Sequence, residues 1–189
     1  PDKRDFARGI LAAEGEALVG LRFQDVKIPQ GATILSASIG FIADENGAAA
    51  STLSIDAQAS DNAPAMSTAN FNISSRAGTT AKVTWTPVAW NSGDKYSTDD
   101  ISTIVQELVS RPGWASGRAM LFRIASTGSP ALTGPRVSEA RESGPQYAAV
   151  LRIAYDDGAS GNKRYYGYFS PDYFYSYGTN AFRYAYKKV

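Results

Sequence analysis

Short runs in which every second residue is apolar recur along most of this chain, and they constrain its fold more than any other feature. Each run predicts a β-strand with one buried face, because successive side chains of a strand point to opposite sides. The five clearest runs are Val19, Leu21 and Phe23; Ala37, Ile39 and Phe41; Leu53, Ile55, Ala57 and Ala59; Met120, Phe122 and Ile124; and Leu151, Ile153 and Tyr155. Shorter strands are expected at Val83 and Trp85 and near residues 136–138, and turn residues separate the runs.

One segment, at about residues 99–111, follows a helical period instead. Its apolar residues fall on a single stripe, at Ile101, Ile104, Val105, Leu108 and Val109. Ser97 or Thr98 is expected to cap this helix and Pro112-Gly113 to end it. The order of strands, one helical crossover and further strands predicts an all-β fold, an antiparallel β-sandwich (jelly roll) with one inserted α-helix.

The length of 189 residues suits one domain with an extension. We expect an N-terminal segment at residues 1–16, the sandwich at 17–156 and a Tyr-rich C-terminal extension at 157–189. Eleven of the 22 aromatic residues lie in residues 163–189. If this extension folds back, it covers a sheet face or forms an edge strand; if it does not, it offers an aromatic docking surface to another domain or subunit. The second interpretation is favoured.

The chain contains neither cysteine nor histidine. Disulfides, Cys/His zinc sites, thiolate nucleophiles and histidine general bases are therefore excluded. Ser92-Gly93-Asp94-Lys95 fits the Ser-x-x-Lys pattern of acyl-enzyme hydrolases, but it precedes the helix and has no Lys-Thr-Gly partner, so chance is the better explanation. We expect no enzyme.

The net charge of +1 comes without a basic stripe, so no nucleic-acid partner is expected. No apolar run approaches about 18 residues, so no membrane insertion is expected either.

Two kinds of ligand site are compatible with the loops. Asp44, Asn46 and Asp61 offer hard oxygen ligands for a structural calcium ion, although solvated turn residues explain them better. Trp90, Tyr96 and Trp114 are loop aromatics of the kind that stack on sugar rings. Trp114 could equally pack beneath the last helical turn, and Trp85 is expected in the core.

Several motifs over residues 18–155 occur together in one known arrangement. They are Val19-Gly20-Leu21-Arg22-Phe23, Ile28-Pro29-Gln30-Gly31, Asn72-Ile73-Ser74-Ser75-Arg76, Val83-Thr84-Trp85 with Pro87 and Trp90, Asp100-Ile101-Ser102, Val105-Gln106-Glu107, and Gly113-Trp114 with Gly117 and Met120. This combination resembles bacterial extracellular jelly-roll modules related to carbohydrate-binding modules.

The extension carries a second motif, Tyr165-Tyr166-Gly167-Tyr168-Phe169-Ser170-Pro171-Asp172 followed by Tyr175-Ser176-Tyr177. It resembles a motif of type IV pilus tip-associated adhesin and biogenesis factors, the PilC/PilY group. That family usually has Asp at the position of Ser170 and Lys-Cys at Tyr173-Phe174, so any disulfide that the family forms there is absent from this chain. The candidate interaction surface is Tyr165, Tyr166, Tyr168, Phe169, Tyr173, Phe174, Tyr175 and Tyr177.

The resemblance implies a non-enzymatic module of a type IV pilus tip-associated protein, secreted or on the bacterial surface. It would act in adhesion or pilus assembly through contact with other domains, pilus subunits or a cell-surface glycan. Two alternatives stay open: a carbohydrate-binding module appended to a secreted enzyme, and a structural subunit of a surface filament assembled through the tail or an open sheet edge.

Overall fold

The computed structural model of this chain describes residues 9–10, 18–67, 71–126, 136–139, 145–158 and 163–169. In chain order its elements are β1 (Gly9–Ile10), β2 (Leu18–Val26), β3 (Thr33–Ile42), β4 (Leu53–Ala57), β5 (Val83–Trp85), β6 (Lys95–Ser97), α1 (Ser102–Val109), β7 (Arg118–Ser126), β8 (Val137–Ser138), β9 (Val150–Asp156) and β10 (Lys163–Phe169). Most of the predicted segment 1–16 and the interaction residues Tyr173, Phe174, Tyr175 and Tyr177 lie outside the described residues.

Two four-stranded antiparallel sheets form the body of the protein. One has the strand order β10-β9-β3-β6, and we call it the β3 sheet. The other has the order β2-β7-β4-β5, and we call it the β7 sheet. A small pair, β1 with β8, forms a third sheet. It lies against the end of β3, where Glu139 donates its N–H to Ile42 O and Asp44 donates its N–H to Val137 O. The predicted all-β sandwich with one short helix is confirmed, while jelly-roll connectivity stays a prediction.

The core lies between the two sheets and contains the residues that the alternation marks. Leu21 and Phe23 of β2 and Ile39 of β3 are fully buried. Phe41 of the β3 sheet stacks on Trp85 of the β7 sheet, with ring centroids 6.0 Å apart, so aromatic packing joins the two layers. Trp85 is 2% exposed, which confirms its predicted place in the core.

Helix α1 is shorter than predicted because the residues before it pair with β3. Thr98 donates its N–H to Ile39 O, and its Oγ1 accepts the Ile39 N–H. The prediction that Thr98 or Ser97 caps the helix is therefore wrong: Ser97 belongs to β6, and Ile101 is the N-cap residue. Residues 99–101 are not helical because this segment is hydrogen-bonded to Ala37 of β3: Ile101 donates its N–H to Ala37 O.

Beyond β6, the backbone groups at the edge of β3 are hydrogen-bonded by side chains and not by another strand. Asp100 Oδ1 accepts the Ala37 N–H at 2.8 Å. Gln106 Oε1 accepts the Ile34 N–H at 2.8 Å, and its Nε2 donates to Ala32 O at 3.0 Å. Because a glutamine amide offers the same donor and acceptor as a peptide group, α1 satisfies the backbone that a longer β6 would otherwise have paired.

Candidate functional site

Two of the three aromatic residues predicted to bind sugar are buried. Trp90 is 1% exposed and Trp114 is 3% exposed. Trp114 donates its Nε1–H to Ile28 O at 3.0 Å and belongs to the hydrophobic core, which agrees with the packing interpretation over sugar binding. A sugar-stacking residue needs an exposed ring face. The prediction of such faces at Trp90 and Trp114 is therefore wrong, because both rings complete the core.

The third candidate, Tyr96 of β6, covers the outer side of the same aromatic cluster. Its ring is half-buried and stacks on Trp90 with centroids 5.0 Å apart, and its Oη accepts the Asn91 N–H at 2.8 Å. Trp90 also contacts Phe41 and Trp85, at 6.1 and 6.3 Å. The cluster fills the space between the two sheets on the side where β5 and β6 lie. Packing in the core therefore accounts for these aromatic residues without a sugar ligand.

Arg136 hydrogen-bonds the loops around this cluster, a role that no sequence motif indicated. Its side chain is 1% exposed and donates to Val88 O at 3.0 Å, Ala49 O at 3.0 Å and Pro87 O at 3.2 Å. Burial lowers the pKa of the Arg136 guanidinium, and the nearby Tyr96 opposes that shift. Its role is to satisfy loop carbonyls that the core would otherwise leave unpaired.

The residues predicted to bind calcium are already engaged with donors. Asn46 Oδ1 accepts the Ser92 N–H at 2.8 Å, and Asp61 Oδ1 accepts the Arg111 Nε–H at 2.6 Å. Ser92 Oγ in turn donates to Asp44 O at 2.8 Å. Within the described ranges, no group of three or more potential Asp or Glu ligands could hold a metal ion. Asn46 and the main-chain carbonyl of Asp44 thus stabilise the turn at Ser92, and Asp61 pairs with Arg111, while calcium binding stays a prediction.

The outer face of the β7 sheet is covered by the chain between β4 and β5. Arg22 of β2 donates to Ala63 O at 2.8 Å. Arg76 uses its guanidinium to hold the carbonyls of Pro64 and Ala65, both at 2.9 Å. Burial and the neighbouring Arg22 lower the pKa of Arg76. This covering segment explains why Leu121 is fully buried on the face opposite the core.

Arg123 forms a largely buried ion pair within the sheet and also bonds to the covering segment. Arg123 donates from Nε and Nη2 to the two carboxylate oxygens of Asp56, each at 2.7 Å, and from Nη1 to Arg76 O at 2.7 Å. A Cβ on Gly78 would overlap Arg123 Nη2, so glycine is what lets the guanidinium lie there. The face of the β7 sheet is thus a closed structural layer.

The remaining feature is β10, which carries four of the predicted interaction residues: Tyr165, Tyr166, Tyr168 and Phe169. It pairs with β9 in one continuous register, from Lys163 opposite Asp156 to Phe169 opposite Val150. It is the terminal strand of the β3 sheet and runs beside β2, the terminal strand of the β7 sheet. This part of the extension folds back as an edge strand, and its backbone makes it a candidate site for protein contact.

Neither protein-family models, curated proteins nor solved structures show a match to this chain. In the parts of the chain that the structure describes, no helix is long and apolar enough to cross a bilayer.

Proposed function

We propose that this chain is a non-enzymatic, extracellular β-sandwich module of a bacterial type IV pilus tip-associated protein, and that it acts in adhesion or pilus assembly through protein contact. The observation that carries the proposal is β10: a seven-residue strand at the sheet edge that contains the first five residues of the motif that resembles the pilus tip family. An edge strand offers a row of backbone donors and acceptors to a partner strand, which gives affinity without any catalytic group.

The rest of the molecule supports contact with protein over contact with sugar. Trp90 and Trp114 lie in the core, and the outer face of the β7 sheet is covered by its own chain. The edge of β3 beyond β6 is hydrogen-bonded by Asp100 and Gln106. Among the described strands, the edge left for a partner strand is on the side of the sandwich at which β2 and β10 lie.

Sedimentation with purified type IV pili from the bacterium that encodes this chain tests the proposal. We expect the chain to pellet with pili, and Tyr166→Ser in β10 to reduce the pelleted fraction at least severalfold. The matched control is Tyr147→Ser, in the short 3-10 helix Pro145–Tyr147, which should leave pelleting unchanged.

The outcomes separate the alternatives. Pelleting without pili would show a self-assembling filament subunit. Binding to a glycan array that Tyr166→Ser leaves intact, with no pelleting on pili, would overturn the proposal in favour of a carbohydrate-binding module.

A further inference from the structure

The two sheets end in four terminal strands, and three of them carry features that block the addition of another strand. β5 and β6 have only three residues each, and α1 continues the β6 edge through the side chains of Asp100 and Gln106. β2 is interrupted by a bulge between Phe23 and Val26, where Asp25 adopts a φ of 55° and pairs with Lys27. Short length, bulges and charged side chains are the usual protection of an edge.

The fourth terminal strand, β10, is neither short nor bulged in the described structure, and its charged residues are confined to one end. Its seven residues pair with β9 without a shift in register, and it contains no proline. Its two cationic residues, Lys163 and Arg164, stand together at one end, while the other five positions are aromatic or glycine. A partner strand must therefore match a strand that is cationic at one end and aromatic along the rest.

We propose that the partner is a second copy of the same strand, paired antiparallel and centred on Tyr166. This two-fold junction would join two four-stranded β3 sheets into one continuous sheet. The cross-strand pairs, each present twice around the centre, are Lys163 with Phe169, Arg164 with Tyr168 and Tyr165 with Gly167.

The charge pattern is what selects this arrangement. In the antiparallel register each cation faces an aromatic residue, which is a favourable pair across strands, and the glycine faces an aromatic residue. A parallel pairing in the same register would place Lys163 against Lys163 and Arg164 against Arg164, and like charges directly opposite each other are destabilising. A two-fold axis also gives a closed dimer and not an open fibre.

A charge-exchange cycle tests both the dimer and its register. We expect sedimentation velocity of the wild-type chain at roughly 10–500 µM to show a mass that rises from 20.2 kDa towards twice that value. Phe169→Lys sets a lysine opposite Lys163 at both ends of the junction, so the dimer should weaken by about tenfold. The double variant Lys163→Glu with Phe169→Lys restores opposite charges at both ends, and its affinity should return to within about threefold of wild type.

The cycle distinguishes pairing between copies from an effect within one copy. Positions 163 and 169 lie six residues apart along one strand, about 20 Å, so Lys163→Glu cannot offset Phe169→Lys inside a single chain. Lys95→Glu, on the β6 edge, is the matched control and should leave the affinity unchanged. A monomer at the highest concentration, a double variant as weak as Phe169→Lys, or an equal loss with Lys95→Glu would each overturn the inference.

This inference rests on the β10 edge and not on the pilus assignment. A monomeric chain that pellets with pili would overturn the dimer and leave the proposed function standing. A dimer that does not pellet with pili would overturn the proposed function and leave the dimer standing.

Discussion

Replacing Trp90 distinguishes a core residue from a sugar-binding residue. The ring is 1% exposed and contacts three other aromatic rings, those of Phe41, Trp85 and Tyr96, at centroid distances of 5.0 to 6.3 Å. Trp90→Ala would remove all three contacts and leave a cavity where the two sheets meet. We therefore expect a large loss of stability and no selective loss of a surface site.

The expected magnitude follows from the packing. Truncation of a buried tryptophan to alanine costs about 3–5 kcal/mol, and each aromatic pair contributes about 0.5–1.5 kcal/mol beyond burial. We therefore expect the free energy of unfolding to fall by about 4–5 kcal/mol. For a domain of this size, that corresponds to a Tm lower by about 8–20 °C.

A matched pair of phenylalanine variants sharpens the prediction. Trp90 Nε1 is buried without a hydrogen-bond partner, whereas Trp114 Nε1 donates to Ile28 O. Trp114→Phe would leave that buried carbonyl unsatisfied, which adds about 1–3 kcal/mol. We therefore expect Trp114→Phe to destabilise the protein more than Trp90→Phe does, because only Trp114 loses a bond.

Urea unfolding followed by far-UV circular dichroism measures these differences, with equal m-values as the check that the unfolded surface is comparable. If Trp90→Ala stayed within about 1 kcal/mol of wild type and lost binding on a glycan array, the core assignment would be refuted.

Two further predictions concern the hydrogen bonds that close the sheets. Asp100→Ala should lower the free energy of unfolding by about 1–3 kcal/mol near pH 7, because the Ala37 N–H at the β3 edge and the Ser102 N–H and hydroxyl lose their acceptor. Partial burial acts to raise the pKa of Asp100, but its hydrogen bonds outweigh that effect and lower it. The stabilisation by Asp100 is therefore complete above its unfolded pKa of about 4 and is lost as the pH falls through its lower folded pKa. Urea titrations of the wild type and Asp100→Ala should accordingly give the same free energy of unfolding in acid. A difference between them that grew in acid would contradict this. Gly78→Ala should lower the Tm by several degrees because its Cβ displaces the Arg123 guanidinium, whereas Gly167→Ala meets only an ordinary contact at 3.6 Å and should change little in the same thermal scan.

The strands that make the core were predictable because their signal is local. Alternation placed Phe23, Ile39 and Phe122 on buried faces, and all three are fully buried. β6 was not predictable, because three residues cannot show a period and because Tyr96 is half-buried through stacking on Trp90, which lies outside any strand. An edge strand was one of two interpretations of the aromatic extension, and its composition alone could not select it, because pairing with β9 depends on contacts between separate segments.

The motifs behind the family resemblance turn out to be structural. Arg76 holds the segment over the β7 sheet, Asp100 and Gln106 complete the edge of β3, and Trp114 bonds to the carbonyl of Ile28. Such long-range hydrogen bonds leave no local pattern, so the sequence could not show what they do. These residues explain why the sandwich forms, whereas the functional proposal depends on β10 alone.

Amide hydrogen exchange of β10, with and without purified type IV pili, tests most directly that this strand is a protein-contact element. Dilute protein should be used, so that self-association does not contribute protection. We predict that exchange in residues 163–169 slows by about tenfold or more on pili, while β6 is unchanged. Pilus binding that leaves 163–169 unaffected, or that protects residues 90–96 in their place, would contradict the account.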